Sequence, residues 1–122
     1  MYIKQIYTDC LAQASYYLES NGEAVIIDPI RDTSQYIDLL SSRNAKLKYI
    51  FETHFHADFI SGHLALARLT NAEIIFGPNA KTAYKIISSE DDKEFNFGRL
   101  KLQVLHTPGH TLESVCYLLL SE

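Results

Sequence analysis

Apolar and polar positions along the chain fall into short blocks, and each block predicts an element. Tyr2 to Thr8 (YIKQIYT) and Ala14 to Ser20 (ASYYLES) are rich in β-branched and aromatic residues and predict two strands. Asn21-Gly22 follows, a pair that tolerates φ > 0 at both positions and so predicts a hairpin into a strand over Ala24 to Asp28. That strand, AVIID, is apolar on both faces until Pro29 ends it, as a strand covered on both sides should be. Asp32, Thr33 and Ser34 offer N-caps to a helix whose apolar positions are Tyr36, Ile37, Leu39 and Leu40. A strand over Leu47 to Glu52 comes next. A helix from about Phe59 to Leu69 follows, with Ile60, Leu64, Ala67 and Leu69 on one side and Gly62 weakening its first turn. Glu73 to Phe76 predicts a short strand closed by Gly77-Pro78, and Asn79 can cap a helix running to about Ile87. Phe95 to Phe97, Gly98 and Leu100 to Leu105 read as a hairpin, with Leu100, Leu102 and Val104 alternating against Lys101 and Gln103. Val115 to Leu120 is a last strand. The layout is mixed α/β, with a mixed sheet, hairpins and flanking helices, and shows no internal repeat or linker.

Bulk properties narrow the function classes. A chain of 122 residues, 47% hydrophobic, is a single domain with material for a real core. The net charge is −4 and the eleven Lys and Arg are dispersed, so binding nucleic acid through its phosphates is not expected. Glu90-Asp91-Asp92 reads as a solvated loop. Cys10 and Cys116 form neither a disulfide framework nor a zinc knuckle, and their apolar surroundings predict buried, reduced thiols. The N-terminus lacks the pattern of a signal peptide and no apolar run is long enough to span a membrane, so the expectation is a cytoplasmic protein.

The chemistry concentrates in Thr53-His54-Phe55-His56-Ala57-Asp58, between a predicted strand and a predicted helix. Alternate residues of an extended segment point the same way, so His54 and His56 can face one point with Asp58 following. Two imidazoles and a carboxylate make a metal-site composition; the competing reading is a polar loop that happens to hold two histidines. A second cluster, His106-Thr107-Pro108-Gly109-His110, follows another strand. Pro108 fixes φ and Gly109 permits φ > 0, so the backbone can turn sharply and aim His110 over the strand ends, where α/β sheets place their sites. Two such clusters on strand-end loops point to metal binding.

Thr53 to Asp58 and Thr107-Pro108-Gly109-His110-Thr111 resemble the paired metal motifs of the metallo-β-lactamase superfamily. Cys10 to Tyr16, Ile27-Asp28-Pro29 with Arg31-Asp32, and Glu52 to Gly62 resemble the persulfide dioxygenases, in particular the bacterial type often fused to rhodanese domains. The resemblance implies the N-terminal half of an αββα sandwich, a single partial domain over 1–122. It also implies mononuclear Fe(II), with His54 and His110 as ligands and His56 and Asp58 orienting ligands or water, or joining the metal themselves. The superfamily pattern HxHxDH places a second-metal ligand where this chain has Phe59, whose ring cannot ligate.

The family's third iron ligand is an Asp on a later strand. This chain reaches Glu122 twelve residues after His110 and has no Asp after Asp92. Three expectations compete: a fragment of a longer protein, which is favoured; a half-domain that pairs with itself or a second chain; and a remnant without chemistry. The parent activity implied is oxidation of a low-molecular-weight persulfide to sulfite, with this chain alone inactive. The alternatives are a glyoxalase II-like zinc thioester hydrolase and a non-catalytic half-domain that assembles as a dimer. His63 and His106 are expected to be structural, Arg31-Asp32 to fix the loop after Pro29, and at most one of Tyr16 and Tyr17 to line a pocket.

Overall fold

The computed structural model describes residues 1–8, 13–53, 62–77, 86–106 and 115–121. β1 (Tyr2–Thr8) pairs antiparallel with β2 (Gln13–Ser20), from Tyr2 opposite Glu19 to Thr8 opposite Gln13. Asn21 and Gly22 turn at φ 50° and 80°, both in the left-handed region, and deliver β3 (Glu23–Ile27) antiparallel to β2. The two-residue turn suits the twist of the flanking strands. β3 stops at Ile27, one residue before the predicted end, because Asp28 itself turns left-handed at φ 53°.

Two crossovers extend the sheet. α1 (Ser34–Ser42) starts after Thr33, whose side chain makes no capping hydrogen bond; instead Asp32 Oδ1 accepts from the Ser34 backbone N–H at 3.1 Å and from its hydroxyl at 2.7 Å. Asp32 thus fixes the loop after Pro29 as expected, while Arg31 is exposed. β4 (Lys46–Phe51) then runs parallel to β3, with a bulge that inserts Lys48 between the partners of Ala24 and Val25. α2 (His63–Thr70) has Gly62 as its N-cap; the predicted start of this helix, at Phe59 and Ile60, lies outside the described residues. Asn71 ends it in the left-handed conformation at φ 62°. β5 (Glu73–Phe76) and β6 (Ile87–Ser88) complete the six-stranded sheet. The helix predicted to reach Ile87 is corrected at its end: Ile87 pairs parallel with Ile75, and a sheet edge outweighs a helical pattern that local composition alone suggested. Its start at Asn79 lies outside the described residues.

β7 (Glu94–Phe97), β8 (Leu100–His106) and β9 (Val115–Ser121) form a second, antiparallel sheet. Gly98, in the β7–β8 turn at φ +57°, can be nothing else: an added Cβ would stand 2.1 Å from the Ser20 carbonyl oxygen. Its N–H donates to Glu23 Oε1 at 2.7 Å, so the turn is tied to the β2–β3 hairpin of the large sheet.

The layers are therefore helices, large sheet, small sheet. Ala24, Ile26, Leu47 and Ile50 face Tyr36, Leu40 and Leu66 of the helices. Val25, Ile27, Phe51 and Ile75 face Phe95, Phe97, Leu102 and Val104 of the small sheet. The alternation along β8 is as predicted. An aromatic knot holds the sheets together, with the Phe51 ring 4.9 Å from Tyr117 and 5.5 Å from Phe95. This is a mixed α/β arrangement that matches part of the expected sandwich.

The small sheet does not reach the β1 end of the large one. Ile3 is 51% exposed there and Tyr16 is 38% exposed, above a groove of about 360 Å³ also lined by Leu18, Ile27, Tyr117 and Leu119. Tyr16 lines that groove and Tyr17 is buried beneath the helices, so the adjacent tyrosines divide between the faces as expected. Cys116 corrects the sequence reading: it is exposed, because it and Leu118 alternate with Tyr117 and Leu119, the residues that pack inward. Cys10 lies outside the described residues. Among the described residues no helix is long and apolar enough to cross a membrane.

Candidate metal centre

The parallel strands β3 and β4 end side by side, and two buried acids stand at those ends. The Asp28 backbone N–H donates to the Phe51 carbonyl at 2.8 Å, continuing the ladder by one bond. Its left-handed backbone, which Asp tolerates better than most residues, then turns the carboxylate toward β4. Oδ1 accepts from the Thr53 backbone N–H at 2.9 Å and Oδ2 from the Thr53 hydroxyl at 2.7 Å. The residue immediately before His54 is thus held at both its backbone and its side chain.

Glu52, only 1% exposed, connects three elements. Its N–H donates to the Ile75 carbonyl of β5 at 2.9 Å. Its carbonyl accepts from the Tyr117 hydroxyl of β9 at 2.6 Å. Its carboxylate oxygen Oε1 lies 2.7 Å from His63 Nδ1 at the start of α2. The alternation of β4 places Glu52 on the helix side, after Phe51 on the small-sheet side. Burial raises the Tyr117 phenol well above its ordinary pKa, and the negative fields of Asp28 and Glu52 add to the effect. Tyr36, which shares a hydrogen bond of 2.7 Å with Ser15 and accepts from the Ile30 N–H at 3.1 Å, is also raised by burial, against the opposing effect of those bonds.

Removing the Asp28 carboxylate leaves the Thr53 N–H and hydroxyl without their acceptor in a half-buried position. Asp28→Ala is expected to cost about 3 kcal/mol, against about 1 kcal/mol for Asp28→Asn, which keeps one acceptor oxygen and tolerates the left-handed backbone. Urea unfolding of the two variants checks the difference.

The predicted ligands His54 and His110, the supporting residues His56 and Asp58, and Phe59, Pro108 and Gly109 lie outside the described residues. The frame around them is described. Thr53 leads into residues 54–61 from β4, and His106 and Val115, paired across β8 and β9, bracket residues 107–114. Thr53 lines the same groove as Cys116 and Tyr117, so both brackets stand at one end of the two sheets. The donors offered by sequence, imidazole nitrogens with a carboxylate oxygen, suit zinc or ferrous iron. Among the described residues no three His, Cys, Asp or Glu side chains cluster as a metal site.

At His106 the backbone fixes the end of β8: its N–H donates to Asp91 Oδ1 at 2.8 Å. The acidic loop Glu90-Asp91-Asp92 is exposed as expected, and it also braces β8 through the Asp92 N–H to the Val104 carbonyl at 2.7 Å. His63 exceeds its expectation through the contact with Glu52. Sequence reasoning missed the roles of Glu52 and Asp28; the available signal was a carboxylate at the end of each of two apolar strands.

A family model for the metallo-beta-lactamase superfamily matches residues 8–122. The probable polyketide biosynthesis zinc-dependent hydrolase PksB of Bacillus subtilis is 31% identical over 100 residues, which span 78% of this chain and 44% of that protein. The hydroxyacylglutathione hydrolase of Methylobacillus flagellatus is 31% identical over 106 residues, 84% of this chain and 41% of the relative. Among solved structures, a metallo-beta-lactamase from Staphylococcus aureus superposes with a TM-score of 0.91 at 40% identity, over 100% of this chain and 39% of that one. ETHE1 from Myxococcus xanthus superposes with a TM-score of 0.90 at 30% identity, over 98% of this chain and 54% of that one. The chain spans less than half the length of these two curated relatives.

Proposed function

The chain belongs to the metallo-beta-lactamase superfamily, and from that premise we propose that it carries half of a single-metal centre whose parent protein oxidises a low-molecular-weight persulfide to sulfite. His54 and His110 would ligate the ion, and His56 and Asp58 would orient ligands or water beside it. The observation that carries this reading is Phe59: an apolar ring stands where the HxHxDH pattern supplies a ligand to a second metal. The overlap with ETHE1 supports the persulfide branch. Ferrous iron is the ion this reading takes, and bound there it would supply the redox chemistry by which persulfide, O2 and water become thiol and sulfite.

The chain's own groups would do the holding. Asp28 fixes Thr53, and with it the point where the histidine segment leaves β4. The apolar groove beside Thr53 keeps a low-polarity wall against that end of the sheets. The third ligand, a carboxylate, would come from polypeptide beyond this sequence or from a second copy of the chain. The domain over 1–122 is accordingly a partial one, inactive by itself, in a cytoplasmic protein that acts on a small molecule rather than on nucleic acid or membrane.

The second reading, a glyoxalase II-like zinc thioester hydrolase, is favoured by the hydrolase relatives, and a non-catalytic dimerising half-domain is the third. Metal stoichiometry separates them. The chain loaded anaerobically with Fe(II), or with Zn(II), is expected to retain one ion, and Phe59→His is expected to raise zinc from one to two. Two zinc ions in the unaltered chain would favour the hydrolase, and no retained metal the non-catalytic module. Sulfite production from glutathione persulfide by the isolated chain is expected to be negligible, and a measurable rate would overturn its assignment as an inactive half.

A further inference from the structure

Glu52 and His63 stand on either side of residues 53–62, and their contact is built where a charge is hard to keep. The Glu52 side chain is 1% exposed and the His63 side chain 14%, with Nδ1 and Oε1 2.7 Å apart. The His63 ring also meets Phe76 edge-on at 5.9 Å, so packing orients it as well. A buried polar pair is a poor source of stability, because a well-packed apolar pair of similar volume does as well or better. What this pair does is bring two elements of the fold into direct contact at 2.7 Å. Here those elements are the end of β4 and the start of α2.

Two more contacts act on the same pair of ends. Asp28 holds Thr53 at 2.9 and 2.7 Å, and the Gly62 N–H donates to the Pro29 carbonyl at 3.0 Å. Both contacts run back to the single turn after β3. The segment carrying His54, His56 and Asp58 is therefore closed at its base by three independent interactions, of which the Glu52–His63 contact joins the two ends directly. Tying together the two ends of a short stretch of chain removes chain entropy that ligation would otherwise have to overcome.

We propose that Glu52 and His63 are positioning residues, whose buried contact clasps the two ends of residues 53–62 and so sets the placement of the metal-ligating His54. The proposal rests on the single-metal reading above. Neither residue touches the ion in this scheme; both act through the segment between them.

Two measurements on the full chain test it, using Glu52→Gln, His63→Gln and the double variant E52L/H63L. Without metal, amide hydrogen exchange over residues 53–62 is expected to be about tenfold faster in both Gln variants, with protection of β3 and α1 unchanged. With Co(II) as the probe, affinity is expected to fall about tenfold, the size of effect seen when groups behind metal ligands are removed. E52L/H63L is expected to recover the thermal stability of the unaltered chain but not its cobalt affinity, a separation that a purely structural role would not give. Unchanged exchange in the Gln variants overturns the clasp, as does cobalt affinity within about twofold of the unaltered chain in all three variants. If the unaltered chain binds no cobalt, the single-metal reading fails instead, and exchange over residues 53–62 alone still decides whether the clasp exists.

Discussion

Gly62→Ala is expected to lower the melting temperature by about 10 °C, the equivalent of about 3 kcal/mol for a domain of this size. An added Cβ would sit 1.9 Å from the Ile30 carbonyl oxygen, 2.9 Å from its carbonyl carbon and 3.0 Å from Thr33 Cγ2. The backbone there cannot retreat cheaply. The Ile30 N–H is bonded to the buried Tyr36 hydroxyl, and the Gly62 N–H to the Pro29 carbonyl. The φ of Gly62 is −85°, ordinary for any residue, so the requirement for glycine is one of space and not of conformation. Relief demands that α2 move away from the β3–α1 turn, which also loosens the base of the histidine segment. Thermal unfolding followed by circular dichroism measures the loss, and a melting temperature within about 2 °C of the unaltered chain would contradict the packing described.

Phe51→Ala is expected to cost about 4 kcal/mol, in the range usual for a core aromatic. The ring is fully buried between the sheets and lies within 5.8 Å of Tyr49, 5.5 Å of Phe95 and 4.9 Å of Tyr117, centroid to centroid. The loss acts on the junction that keeps the Tyr117 hydroxyl on the Glu52 carbonyl, so the small sheet should loosen along with the end of β4. The urea midpoint should fall with little change in slope, as for a variant that alters stability and not the surface exposed on unfolding.

Much of the scaffold was legible in the sequence because the local signals were strong. Asn21-Gly22 allows few turns, and β8 alternates apolar and polar residues from Leu100 to Val104, so both hairpins appear where they were expected. The errors have a common origin in tertiary context. The neighbours of Ile87 in sequence favour a helix, yet a sheet edge claims it. Cys116 sits in an apolar run that predicts burial, yet it is exposed beside the groove next to Thr53. In sequence Glu52 is only the last residue of an apolar strand, and the approach of α2 and β9 makes it a junction. The candidate metal ligands were legible as motifs because His-x-His-x-Asp and Thr-Pro-Gly-His put unusual chemistry directly after apolar strands. The buried acids behind the first loop were not, since a lone Asp or Glu at a strand end has many uses. That Thr53 and the β8–β9 bracket share one end of the sheets depends on contacts between elements far apart in sequence.

The central claim is that His54 and His110, more than fifty residues apart, hold one metal ion at that end. Calorimetric titration of the chain with Zn(II) under reducing conditions tests it most directly, alongside His54→Ala and His110→Ala. The account predicts saturation near one equivalent for the unaltered chain and a loss of at least about tenfold in affinity for each variant, as expected when an imidazole ligand is removed. Binding that is unaffected by either substitution, or no saturable binding by the unaltered chain, would contradict it.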